Sequence, residues 1–142
     1  MLYVLDTDHL SLLQRRSPEG KVLLQRLQAN KVAFSATVIS YEEQTRGWMG
    51  HLAKAKNTTE QVIAYDRLRQ HATNYCNIPL LGFNESAIQT NQQLRKRYPR
   101  LGAMDLKIAA IVLTQPAAML LTRNTRDFGQ IDGLSIDDWS ID

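Results

Sequence analysis

The first apolar residues come as a block, Leu2, Tyr3, Val4 and Leu5, that stops at Asp6. A short continuous run closed by an acid is the pattern of a strand buried on both faces, as in a parallel sheet, because a half-exposed strand alternates. Asp8 is a good N-cap for the helical segment HLSLLQRR, and SPEG at 17–20 breaks that helix. A second helix, KVLLQRLQAN, follows with Val22, Leu23 and Leu27 on one face and Asn30 as its stop. KVAFSA at 31–36 predicts the second strand. From Thr37 a long helical pattern carries Ile39, Glu43 and Trp48 towards Lys56, weakened locally by Gly47 and Gly50.

Thr58 and Glu60 open a further helix, TTEQVIAYDRLRQHATNYC, with an apolar side of Val62, Ile63, Tyr65 and Leu68; Asn77 and Pro79 end it. IPLLGF at 78–83 predicts a third strand, and NESAIQTNQQLRKRYP a capped helix with Ala87, Asn91, Leu94 and Tyr98 on one stripe. Nearly every residue from Ala103 to Leu113 is apolar, which predicts a helix buried on most sides, with AAMLLT as the strand after it. Leu134 and Ile136 add a last short edge strand. This alternation predicts an α/β protein with a parallel sheet, helices on both faces and right-handed crossovers. Such a sheet binds ligands beyond the carboxyl ends of its strands.

A chain of 142 residues has the length of one domain, here expected to span 1–142, and 44% hydrophobic with 22% charged residues argues against disorder. No apolar run is long enough to cross a membrane. The N-terminal MLYVLDTDHL reaches an acid at position 6 with no basic region before its apolar run, unlike an export signal, so a cytoplasmic location is expected. The single cysteine, Cys76, excludes an internal disulfide and a cysteine-rich zinc cluster, and is expected in the core. The net charge of +3 is unevenly spread. Asp132, Asp137, Asp138 and Asp142 fall in the last eleven residues, leaving 1–131 with a net +7, a basic body able to attract phosphates.

Asp6 ends the first strand, Glu43 sits early in the helix after the second, Asp105 opens the buried helix, and Asn124 with Asp127 follow the fourth strand. All are expected at one edge of the sheet. Each residue has a plainer role, as a cap, a solvated helix position or a turn former. Asp6 and Asp105 resist it, because each stands in apolar surroundings where an unpartnered carboxylate is costly. Carboxylates gathered in a poorly solvated cleft repel one another by several kcal/mol at an effective dielectric of about 20. They must then take up protons or bind a cation, and an all-oxygen set suits Mg²⁺ or Mn²⁺ rather than zinc. His9, His51 and His71 have no mutual metal spacing and are given no role. A hard cation at such a site is suited to phosphodiester hydrolysis, with Asp6 and Asp105 as ligands and Glu43 ligating or orienting water. A second ion would lie near Asp127 or Asn124.

The segments LDTDHLS at 5–11, SATVISYEEQTRG at 35–47, GAMDLKIAA at 102–110 and LTRNTRDF at 121–128, in that order, resemble the PIN-domain ribonucleases of the VapC type, toxins of bacterial toxin–antitoxin pairs. The resemblance covers essentially the whole chain. It implies a PIN-like three-layer α/β/α domain with a central parallel sheet of four to five strands. It also implies Mg²⁺- or Mn²⁺-dependent endoribonuclease activity and a homodimer neutralised by a separate antitoxin. Carried onto this chain, the catalytic set is Asp6, Glu43, Asp105 and Asp127, with Asn124 as an added metal ligand. Glu43 is chosen over Glu42 because it precedes Gly47 by the family's usual four positions, and the fourth acid is left between Asn124 and Asp127. Thr7 and Thr122 support the site by hydrogen bonds. Arg123 and Arg126, then Arg95 and Arg97 around Tyr98, are the cations expected to track RNA, with Tyr98 available to stack on a base. Trp48 and Met49 are candidates for an antitoxin or dimer contact, or for the core.

Two other readings compete. LDTD also matches the Asp-x-Asp opening of haloacid-dehalogenase-like phosphatases, in which the first acid is a nucleophile and the second a general acid, although the chain is short for that fold. A non-catalytic RNA- or partner-binding module is the other, since paired acids also serve as caps and turn formers.

Overall fold

The apolar blocks pair into one five-stranded parallel sheet, in a computed structural model that describes residues 1–141. In chain order the elements are β1 (Leu2–Leu5), α1 (Thr7–Arg15), α2 (Pro18–Ala29), β2 (Phe34–Thr37), α3 (Val38–Lys54) and α4 (Thr58–Asn74). They continue with β3 (Leu80–Leu81), α5 (Glu85–Arg97), α6 (Ala103–Leu113), β4 (Ala118–Leu121), α7 (Thr125–Phe128) and β5 (Ile136–Asp137). The sheet order is β3-β2-β1-β4-β5, and β1 meets β4 in the register Val4↔Leu120 and Leu5↔Leu121.

Both faces of β1 and β4 are covered, which is why these strands read as unbroken apolar runs. Val4 and Leu120 point into one core with Ile39, Ala87, Leu94 and the buried residues of α6. Leu5 and Leu121 point into the other with Leu10, Leu23, Leu27, Ala36 and Trp139. The result is the three-layer α/β/α arrangement expected from the sequence. After β1 the chain builds outward through β2 and β3, then crosses to the far side of β1 to lay down β4 and β5. Such a reversal marks the carboxyl ends of β1 and β4 as the place where an open parallel sheet holds ligands. Among the described residues no helix is long and apolar enough to cross a membrane.

Several local expectations are corrected. The N-cap of α1 is Asp6, not Asp8: Asp6 accepts the His9 amide, and Asp8 falls in the first turn. The break after α1 falls at Arg16–Ser17, and the second helix starts at Pro18 rather than Lys21, because Ser17 caps α2 and Pro18 occupies its first turn, where a missing N–H costs nothing. β2 begins at Phe34, since the left-handed turn at Lys31 (φ 52) separates it from α2. β3 shrinks to Leu80–Leu81 at the sheet edge. On α4 the apolar residues face outward, with Val62 64%, Ile63 53% and Tyr65 58% exposed, while the seam buried against α3 is Ala64 and His71. Cys76 is exposed rather than core. Of the acidic tail, Asp142 lies outside the described residues.

Candidate active site

Four polypeptide segments deliver polar groups to this end of the sheet, each at a helix start. Asp6 leaves β1 and caps α1, Thr37 leaves β2 and caps α3, Asn124 follows β4 and caps α7, and Asp105 lies in the first turn of α6. Helix N-termini present unpaired N–H groups and a partial positive charge, so acids are tolerated there.

Asp6 is 5% exposed. Its Oδ1 accepts the His9 amide at 2.8 Å, and the buried Thr122 hydroxyl also donates to it. Burial still dominates: with the charges of Asp8 and Asp105 added, it pushes the Asp6 carboxyl up to about 6. Asp105 is raised for the same first reason, then by the charges of Glu43 and Asp127. Asp6, Asp105, Glu43 and Asp127 are therefore close enough to repel one another through Asp105.

Glu43 is the acid that faces this group. Thr7 donates to its Oε1 at 2.6 Å and is itself 2.9 Å from the Ser40 hydroxyl, so a buried serine, a threonine and the carboxylate form one chain from α3 to α1 and back. Glu42 instead pairs with Arg46 at 2.6 Å. Asn124 and Asp127 share a capping arrangement: Asn124 Oδ1 accepts the Asp127 amide at 3.4 Å, and its Nδ2 donates to Asp127 Oδ2 at 3.2 Å. The Asn124 amide donates to Thr122 Oγ1 at 2.9 Å, linking this pair to the partner of Asp6.

The arginines are less free than expected. Arg123 grips both oxygens of Asp8, at 2.7 and 2.8 Å, which holds the Asp8 carboxyl below its ordinary range and the guanidinium above its own. Arg97 is paired with Asp132. Tyr98 packs against the core and accepts the Asp132 amide on its hydroxyl at 3.0 Å, so it is no exposed stacking platform. Arg95 and Arg126 are not in ion pairs among the described residues.

Sequence reasoning missed His9. It is fully buried, its Nδ1 lies 3.8 Å from Asp6 Oδ1, and its Nε2 accepts the Trp139 amide at 3.4 Å. Burial lowers its pKa, which favours the neutral ring. Among the described residues, Asp6, Asp8 and His9 have ligand-type atoms within 4.8 Å of one another. Of the three, Asp8 is held by Arg123 and His9 Nε2 by the Trp139 amide, while His9 Nδ1 has no hydrogen-bond partner. The carboxylates whose charge is least compensated are Asp6 and Asp105. An all-oxygen set drawn from Asp6, Asp105, Glu43, Asp127 and the Asn124 side chain would suit Mg²⁺ or Mn²⁺ in its chemistry.

No protein-family model matches the chain, and no curated protein aligns with it significantly. Solved structures do share its fold. VapBC-1 from nontypeable Haemophilus influenzae matches at TM-score 0.75 and 24% identity, covering 99% of this chain and 100% of that one. VapBC2 from Rickettsia felis, bound to a DNA fragment from its promoter, matches at TM-score 0.71 and 19% identity, covering 98% and 99%. A toxin–antitoxin complex from Klebsiella pneumoniae matches at TM-score 0.70 and 21% identity, covering 96% and 97%. The three-layer fold is common to all of them.

Proposed function

We propose that the chain is a metal-dependent endoribonuclease and the toxin of a toxin–antitoxin pair. What supports the reading most is that Asp6, which follows β1, feels the charge of Asp105, and Asp105 that of Glu43 and Asp127, so that burial and like charge together raise both carboxyls. The fold, shared end to end with toxin–antitoxin structures, supports it. On the same grounds we propose a cognate antitoxin and a homodimer as its protein partners.

Asp6 and Asp105 would hold Mg²⁺ or Mn²⁺, an ion that would supply Lewis-acid chemistry for phosphodiester hydrolysis. The chain's own residues do the rest. Thr122 and the His9 amide hold Asp6 in one orientation. The Ser40–Thr7 chain fixes Glu43, placing a carboxylate able to accept a proton from an attacking water. Asn124 holds Asp127 to the same edge and adds an amide oxygen.

The phosphatase reading needs Asp8 as a proton donor, whereas the clamp of Arg123 keeps Asp8 ionised. Incubation with single-stranded RNA and Mg²⁺ or Mn²⁺ tests the proposal. Internal cleavage that EDTA stops and Asp105→Asn abolishes is the expected result. Cleavage that survives both, or hydrolysis of para-nitrophenyl phosphate in place of RNA, would sink it.

A further inference from the structure

Strands β1 and β4 run side by side until the Asp6 amide donates to the Leu121 carbonyl at 3.1 Å. From there one segment enters α1, and the other enters the bend at 122–124 that leads to α7. Among the described residues no backbone hydrogen bond joins the two segments further on, and side chains take over. The Thr122 hydroxyl donates to Asp6. Arg123 meets Asp8 side-on, with Nε donating to Oδ2 at 2.7 Å and Nη2 to Oδ1 at 2.8 Å.

The neighbours of this ion pair are the groups of the candidate site. Asp8 comes two residues after Asp6 on the same helix start. Arg123 stands between Thr122, the hydroxyl partner of Asp6, and Asn124, which holds Asp127. The pair therefore ties the segment that carries Asp6 to the turn that carries Asn124 and Asp127. Two parallel bonds between a guanidinium and a carboxylate fix both separation and angle, which a single bond does not. Folding has little use for the contact. Arg123 and Asp8 are 42% and 43% exposed, where an ion pair adds little stability, and α1 already has its cap in Asp6.

We infer that Asp8 and Arg123 form a clamp that sets the spacing between Asp6 and the Asn124–Asp127 pair, and with it the affinity of the site for its divalent ion. Arg123 is then a positioning residue, in place of the RNA-tracking cation expected from the sequence. The inference rests on the metal-dependent reading and deepens it, naming residues that tune the ion site without touching the ion.

Mn²⁺ binding at pH 7.5, followed by the EPR signal of the free ion and restricted to the binding lost in Asp105→Asn, tests the clamp without RNA. Asp8→Asn, Arg123→Gln and the double variant are each expected to bind Mn²⁺ about tenfold more weakly, the loss usual when groups that orient metal ligands are removed. The double variant should bind no more weakly than Asp8→Asn alone, because either substitution opens the clamp completely. Urea midpoints close to that of the wild type would show that the fold is kept. The sign of the change in Arg123→Gln is decisive. Charge acting alone would weaken binding in Asp8→Asn, tighten it in Arg123→Gln, which loses a positive group, and nearly cancel in the double variant. Tighter or unchanged binding in Arg123→Gln, or wild-type affinity in the double variant, overturns the clamp. Where the wild type still binds Mn²⁺ and cuts RNA, that result leaves the nuclease reading standing. A wild type that neither binds Mn²⁺ nor cuts RNA refutes the reading itself, and the clamp with it.

Discussion

Asp6 carries two obligations that pull against each other. As an N-cap it must lie at the start of α1, and as the residue after β1 it is nearly sealed from water. Its folded pKa of about 6 stands above the ordinary 3.8, so the folded state holds the extra proton between those values. Stability therefore falls as pH rises through that window, and the cost is complete above about pH 6. Asp6→Asn keeps the cap oxygen and removes the charge. Urea denaturation should find the variant more stable than the wild type at pH 7.5, by as much as roughly 3 kcal/mol, with the gap closing near pH 4, while RNA cleavage is lost. A gap independent of pH would mean that Asp6 carries no such penalty. Asp8 behaves oppositely, since Arg123 favours its ionised form. Both side chains of that pair are more than 40% exposed, so Arg123→Ala should cost no more than about 1 kcal/mol in the same measurement. The positions of Asp6 and Asp105 were legible in the sequence because one follows a strand and the other lies in the first turn of a helix. His9 was not, because its burial and its contact come from Trp139, 130 residues further on.

Elements were legible where one physical signal dominated. The strands β1 and β4 and the helix α6 are apolar almost throughout, and burial on both sides leaves no other reading. The edge strands β3 and β5, two residues each, carry too little pattern to set their limits. On α4 the pattern misled, since the largest apolar residues point outward while Ala64 and His71 make the seam. A small residue there lets the helices approach, and His71 pays for its burial with a 2.8 Å bond to Thr45 and stacking on Tyr41. Nor does sequence reveal how closely α2 approaches α1. A Cβ at Gly20 would lie 2.0 Å from the Leu12 carbonyl oxygen, a backbone atom that cannot swing away. Gly20→Ala should therefore destabilise by about 2–3 kcal/mol despite its better helix propensity, read as a lower urea midpoint. An unchanged midpoint would show that the two helices separate at little cost.

At the scale of the whole molecule, the candidate site is assembled from β1, α3, α6 and the β4–α7 turn, so any ion held there must stabilise the folded chain as a unit. The unfolded chain scatters those acids and binds weakly, and the stabilisation grows with ion concentration over Kd. At 100 times Kd it amounts to about 2.7 kcal/mol, or roughly 5–10 °C in Tm for a chain of this size. The same linkage fixes its pH dependence. Near pH 4.5 the folded protein keeps Asp6 protonated and holds Asp105 above its ordinary range as well, so the ion must displace protons and its effect shrinks. Mn²⁺ should therefore raise Tm at pH 7.5, raise it far less at pH 4.5, and lose most of its effect at pH 7.5 in Asp105→Asn, as scanning calorimetry would record. A shift equal at both pH values, or undiminished in the variant, would put the ion on carboxylates that titrate normally, away from Asp6 and Asp105.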